Sequence, residues 1–212
     1  MAVIRWWSHK VDKQNVVARS NEHYGIPDRR FVTNESKART VTASQLGKVR
    51  DEYVRMSLEL QQAFGLRREE AMKFQPSFAD RGDHLVLKAS WTKGGRERTI
   101  PVRTTEQREV LNRARRLAGF GSLIPRNRNY VQQLRIYEGN TLRAGLSHMH
   151  GLRHNSQNRY EELTGWKAPA AGGPGSKAMN PEQREIDRKA RLTISRELGH
   201  EREAVTAAYC GR

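Results

Sequence analysis

Apolar residues return every three or four positions from Thr42 onward: Leu46, Val49, Tyr53 and Val54, then Leu58 and Phe64. That spacing keeps apolar side chains on one face of a helix. It predicts a helical stretch from Thr42 that Gly65 ends, with a shorter helix over Arg68 to Phe74. Between His84 and Val102 the period becomes strand-like on either side of Thr92-Lys93-Gly94-Gly95. Adjacent glycines supply the positive φ of a tight turn, so "HLVLKASWTKGGRERTIPV" predicts a small β-hairpin. Helical spacing then resumes. Thr104 and Gln107 make a capping-box pattern, and Val110, Leu111, Ala114 and Leu117 share a face before Gly119. Further helices are predicted over Asn129 to Ala144, His150 to Leu163, Glu182 to Leu198, and Glu201 to the end.

Two stretches lack this pattern. Residues 1–41 show little periodicity, pair Trp6 with Trp7, and carry turn chemistry at Gly25-Ile26-Pro27-Asp28. They read as an extended N-terminal lead-in or linker that docks through its aromatic residues. Gly165 to Pro181, "GWKAPAAGGPGSKAMNP", is rich in Gly, Pro and Ala and reads as a flexible loop or insert. The expected fold is mainly α (α+β): one main domain over residues 42–212, with a small antiparallel sheet.

Charge narrows the partner. Lys and Arg number 39 against 23 Asp and Glu, a net charge of +16, which points to a polyanion. The basic residues are spread along the whole chain and do not form one basic amphipathic helix, which favours nucleic acid over a membrane. No apolar run approaches the ~20 residues of a membrane span, and the N-terminus has no apolar signal-peptide core. The single cysteine, Cys210, excludes an internal disulfide framework and a multi-thiolate metal site. The chain reads as cytoplasmic.

Four short motifs could carry chemistry. In Gly65-Leu66-Arg67-Arg68-Glu69-Glu70, at a junction between helices, Arg67 can chelate a phosphate and Glu70 can hold Arg67 in place. Lys93, at the hairpin tip, can reach into a groove and donate a proton. His150 and Arg153 lie three apart, so both can point at one anion. His200 follows Gly199, and Tyr209 comes nine residues later. Taken singly, each is common on a charged surface. His148, His150 and His154 do not share a helix face, so they do not suggest a metal site, and no cofactor is implied.

In this order the motifs are more specific: G-L-R-x-x-E, a hairpin lysine followed by R-x-x-P, H-x-L-R-H, L-G-H, then a tyrosine nine further on. This resembles the catalytic domain of the tyrosine recombinases, the phage-integrase family, over roughly Thr42 to Tyr209. The resemblance implies that Arg67 and Arg153 clamp a scissile phosphate, with Glu70 in support. It implies Lys93 as general acid, His150 and His200 as the two histidines, and Tyr209 as nucleophile. A phenol is largely protonated at neutral pH, so attack needs a proton acceptor, the role implied for His150. The product would be a 3′-phosphotyrosyl linkage, formed without metal.

The implied protein is a DNA integrase of a bacterial mobile element that acts on double-stranded attachment sites and self-assembles on DNA. Two alternatives stay open: DNA relaxation of the type IB topoisomerase kind, and a non-catalytic basic DNA-binding domain. The chain departs from the family in the long interval between Arg153 and His200, where the Gly/Pro-rich insert falls. The 41 residues before Thr42 leave no room for the family's helical core-binding domain, so a fragment of a longer integrase is expected.

Overall fold

The structure, a computed structural model, describes residues 1–27, 32–200 and 203–212. The chain divides into two compact units, Met1–Phe31 and Val32–Arg212. In the first, α1 (Ala2–Lys10) is followed by 3-10 turns at Gln14–Val16 and Glu22–Tyr24. The lead-in is therefore not extended at its start. Backbone bonds such as Arg5 N–H to the Met1 carbonyl and Val11 N–H to the Trp7 carbonyl close a helix there, with the Ser8 hydroxyl donating to the Arg5 carbonyl at 2.8 Å. Trp6 and Trp7 are exposed. Asp28, the last residue of the anticipated turn, lies outside the described residues.

The second unit is mainly helical. In chain order it contains α2 (Ala43–Lys48), α3 (Glu52–Phe64), α4 (Arg68–Lys73), α5 (Pro76–Ala79), β1 (His84–Leu87), β2 (Arg98–Pro101), α6 (Thr105–Ala118) and α7 (Tyr130–Arg143). A 3-10 segment at Met149–Asn155 leads into α8 (Ser156–Thr164), and α9 (Pro181–Leu198) and α10 (Glu203–Cys210) follow. Strands β1 and β2 pair antiparallel, with Leu85 opposite Ile100 and Leu87 opposite Arg98. Because side chains alternate across a strand, Arg98 shares the buried face of β2 with Ile100, and Thr99 points outward.

Three apolar clusters hold these elements. Leu60, Phe64, Phe74, Leu85, Ile100 and Leu111 join α3 to the hairpin and α6. Val54, Leu58, Tyr137, Leu146 and Leu152 pack α3 against α7. Tyr160, Ile194, Leu198, Tyr209 and Cys210 join α8, α9 and α10. The capping boxes at Thr104 and at Asn180 start α6 and α9, and Gly65 and Gly199 end α3 and α9 in the left-handed conformation.

Three predicted elements are broken differently from expectation. The helix expected from Thr42 is interrupted at Val49–Asp51: Asp51 caps α3 by accepting from Val54 N–H at 3.0 Å. Asn140 Oδ1 on α7 accepts from both Arg50 N–H and Asp51 N–H, each at 3.1 Å, which satisfies the backbone that the break frees. The first hairpin strand stops at Leu87, because Trp91 turns inward through a 3-10 turn to pack on Phe74 and Phe78, with centroids 6.2 and 5.8 Å away. The helix expected from His150 begins as the 3-10 segment and becomes α-helical at Ser156. Within the Gly/Pro-rich stretch, Ala168, Ala170 and Met179 are buried, and Pro169–Ala171 forms a 3-10 turn against α10. The start predicted for the last helix, Glu201, lies outside the described residues.

Removing the Asn140 acceptor leaves two part-buried backbone donors without it, so Asn140→Ala should lower unfolding stability by about 1–2 kcal/mol. Urea denaturation measures this; a loss below about 0.5 kcal/mol would mean that the bonds to α7 do not hold the break.

Candidate active site

The C-terminal end of α3, the start of α4, strand β2, the 3-10 segment and the end of α9 converge on one point. Arg67 occupies the N-cap position of α4. Glu70, fully buried on the first turn of α4, accepts the Arg67 backbone N–H at Oε2 and Arg67 Nη1 at Oε1, both at 2.7 Å. Glu70 thus fixes Arg67 at main chain and side chain together, and the Arg67 side chain keeps 22% of its surface exposed. Burial alone would raise the Glu70 carboxyl; the Arg98 guanidinium, the Arg67 N–H and the charges of Arg153 and Arg67 hold it below the usual carboxylate value.

The second arginine is deeper. Arg153 is 1% exposed and donates from Nη1 to the Gly65 carbonyl at 2.7 Å and from Nη2 to the Leu198 carbonyl. Both acceptors are at helix C-termini, where unpaired carbonyls and the negative end of the helix dipole favour a cation. Arg98, from β2, donates to the same Leu198 carbonyl from Nη1 and to Glu70 Oε2 from Nη2, each at 2.6 Å.

Gly199, at φ +64°, turns the chain after α9 and delivers His200 to this point. The His200 ring stacks on Tyr209, with centroids 5.1 Å apart and planes at 26°. Its Nε2 faces Arg153 Nη2 at 3.5 Å and its Nδ1 faces the Thr206 hydroxyl at 3.3 Å. The Tyr209 hydroxyl is 3.1 Å from His150 Nε2, and the Arg153 guanidinium lies 5.9 Å from the Tyr209 ring centre. Burial, then the charges of Arg153 and Arg67, hold His150 below an ordinary histidine, so at neutral pH it is a neutral proton acceptor.

Lys93 is exposed at the hairpin tip, where Gly94 and Gly95 have the expected positive φ. It lines a cleft of about 620 Å³ that is shared with Arg67, Arg98, Arg196 and His200. Arg67 also lines a neighbouring cleft of about 380 Å³ with Arg68, His148 and His150. The structure therefore brings Arg67, Glu70, His150, Arg153, His200 and Tyr209 together and places Lys93 on the wall of a cleft that Arg67 and His200 also line. This arrangement can bind an oxyanion, take a proton from a phenol, and offer an ammonium proton nearby. Among the described residues no group of three or more His, Cys, Asp or Glu could hold a metal ion.

Sequence reasoning assigned no role to three residues that shape the site. Arg98 was only the first letter of R-x-x-P; its shared parity with Ile100 was the available signal of burial. His154, the last residue of H-x-L-R-H, packs against Tyr209 with ring centroids 4.6 Å apart. Gln157 donates to the Tyr209 carbonyl at 2.8 Å and fixes the end of α10, a contact 52 positions apart that no local pattern signals. Cys210, beside the tyrosine, is buried, which pushes its thiol up to about 11.

Burial, then the charges of His150 and Lys37, lowers His154 to about 4; burial, then Arg153, Arg67 and Arg98, lowers His200 to about 3. Both stay neutral in the folded state while the unfolded chain takes up protons near pH 6.5. Their contribution is therefore complete above pH 6.5 and is lost as pH falls toward 4. Each should cost about 1–2 kcal/mol of stability between pH 7 and pH 5. Denaturation at the two pH values should show a smaller drop for His154→Gln than for wild type; an equal drop would remove His154 from the account.

The integrase family matches residues 28–159, which include Arg67, Glu70, Lys93, His150 and Arg153. No curated protein matches the sequence. Among solved structures, a lambda integrase dimer bound to a COC′ core site is similar with a TM-score of 0.55 at 16% identity, covering 97% of this chain and 57% of that one. The XerH site-specific recombinase bound to a palindromic difH substrate gives 0.52 at 15% identity, covering 88% and 51%. The Tn1549 transposon integrase in complex with circular intermediate DNA gives 0.51 at 16% identity, covering 97% and 71%. At these identities the likeness is one of fold, and the chain spans only about half the length of the first two. From the sequence match over more than half its length and this shared helical architecture, the chain belongs to the integrase family and has the catalytic-domain fold of the tyrosine recombinases.

Proposed function

We propose that this protein is a site-specific recombinase of a mobile element that breaks and rejoins double-stranded DNA through a 3′-phosphotyrosyl intermediate on Tyr209. The observation that carries this reading is the Tyr209 hydroxyl 3.1 Å from His150 Nε2, directly beside Arg153 and His200. The net charge of +16 supports DNA as the partner. The three DNA-bound recombinases and integrases of like fold support attachment sites as the substrate, and the dimeric state of one supports self-assembly on DNA. Residues 42–212 form the catalytic domain and 1–41 the lead-in to it. The setting is the bacterial cytoplasm, in association with DNA; the buried free thiol of Cys210 is consistent with it.

In the reaction, Tyr209 Oη attacks phosphorus while its proton passes to His150 Nε2. The bond from phosphorus to the 5′ oxygen breaks, and Lys93 gives that oxygen its proton. Arg67 and Arg153 donate to the non-bridging oxygens, whose negative charge grows in the transition state, so the two guanidiniums bind that state more strongly than the substrate. Glu70 holds Arg67, and neutral His200 braces the tyrosine ring. The phosphotyrosyl ester keeps the energy of the broken bond, so the 5′ hydroxyl of a second strand can attack it and release Tyr209 without ATP.

A duplex carrying a bridging 5′-phosphorothiolate at the cleavage position tests this, because the thiol leaves without a general acid and rejoins poorly. Wild type should give a denaturation-resistant protein–DNA adduct and Tyr209→Phe none. An adduct surviving in Tyr209→Phe would mean a different nucleophile, and duplex binding without any adduct would favour the non-catalytic DNA-binding reading. Lys93→Ala should slow cleavage of the ordinary phosphodiester by about 100-fold or more and of the phosphorothiolate by less than about fivefold. Equal losses on the two substrates would remove Lys93 as the general acid.

A further inference from the structure

Arg98 touches no reacting atom in this scheme, yet its guanidinium joins both halves of the site. Strand parity turns it inward beside Ile100, leaving its side chain 6% exposed. A cation at that depth is costly unless it is paired. Arg98 has two partners on opposite sides. Nη2 donates to Glu70 Oε2, and Glu70 also holds Arg67; Nη1 donates to the Leu198 carbonyl, which also accepts from Arg153. Each phosphate-facing arginine is therefore separated from Arg98 by one shared acceptor. The turn that delivers His200 rests on the same side chain, since a Cβ on Gly199 would come within 2.9 Å of Arg98 Cδ and Nη1.

The Glu70 bond also controls what Arg67 has left to offer. With Oε2 engaged by Arg98 and by the Arg67 backbone N–H, Glu70 meets the Arg67 side chain through Oε1 and Nη1 alone. If Arg98 is lost, Oε2 keeps only the Arg67 backbone N–H and gains a free lone pair, so the carboxylate can turn toward the parallel, bidentate pair that arginine and carboxylate favour. Arg67 would then be drawn down onto Glu70, away from the cleft.

We propose that Arg98 is a positioning residue for strand cleavage: it holds Glu70 and the Leu198 carbonyl at a fixed separation, so that Arg67 and Arg153 present free N–H groups to one phosphate. This rests on the reading that those two arginines clamp the scissile phosphate. A lysine at position 98 keeps the charge but has a single head, which can reach Glu70 or Leu198 and not both.

The experiment compares the wild-type chain with Arg98→Lys, measuring single-turnover adduct formation on the phosphorothiolate duplex at saturating protein, duplex affinity and thermal melting. Arg98→Lys should melt cooperatively, bind the duplex within about threefold of wild type, and form adduct at least about thirtyfold more slowly. A rate within about threefold, or a rate loss matched by the loss of affinity, overturns the proposal while leaving the cleavage reading intact. No adduct with wild type overturns that reading and the proposal with it. If Arg98→Lys does not fold, Arg98→Ala supplies the second test, with guanidinium ion added at ionic strength held constant by sodium chloride. Recovery of adduct formation by about tenfold or more, with no change in melting, supports positioning. No recovery, or activity and folding returning together, assigns Arg98 a structural role only and overturns the proposal.

Discussion

Two guanidiniums meet at one backbone oxygen, the carbonyl of Leu198 at the end of α9. A helix leaves its last carbonyls without intrahelical donors and carries partial negative charge there, so it offers a cation both an acceptor and a favourable field. Arg98 reaches it from the hairpin and Arg153 from the segment before α8. Those two side chains link elements of the three apolar clusters at the candidate site. Gly199 must turn immediately past this oxygen because Arg98 fills the space that a side chain would need.

The electrostatics follow from that crowding. Arg67, Arg98 and Arg153 surround one buried carboxylate, Glu70, leaving excess positive charge directed at the cleft. The cost is visible in Arg98, which burial lowers to about 10 even though Glu70 pulls the other way. The same field, added to burial, holds His150 and His200 below an ordinary histidine, whereas His154 is lowered by burial and then by His150 and Lys37. Neutral imidazoles and charged guanidiniums thereby lie within a few ångströms of one another.

Tyr209 is confined as tightly as the arginines. His200 stacks on one part of its ring and His154 packs against another, while Gln157 holds its carbonyl. Beyond it, Arg191 donates to the Gly211 carbonyl at 2.7 Å and to Asp187 at 2.8 Å, and Asp187 also accepts the Tyr160 hydroxyl. The segment at Pro169–Ala171 packs against α10 as well. The eight-residue helix that carries Tyr209 depends on these restraints, because a short helix has little stability of its own.

Period and punctuation determined much of this protein in advance. Apolar repeats at three and four positions, the cap pattern at Thr104, and the stops at Gly65 and Gly119 are local signals that the folded helices obey. The candidate residues Arg67, His150, Arg153, His200 and Tyr209 were legible as well, from their order along the chain, and the structure places them near one another. Tertiary structure decided what depends on partners distant in sequence. Asn140 breaks the first long helix from 89 and 90 positions away, and Trp91 leaves its strand for an aromatic pocket. Arg98 acquires its place only when α4 and the end of α9 close around it, 28 and 100 positions from its own. A buried charge is stable only beside its acceptors, and no local pattern records where those acceptors will be.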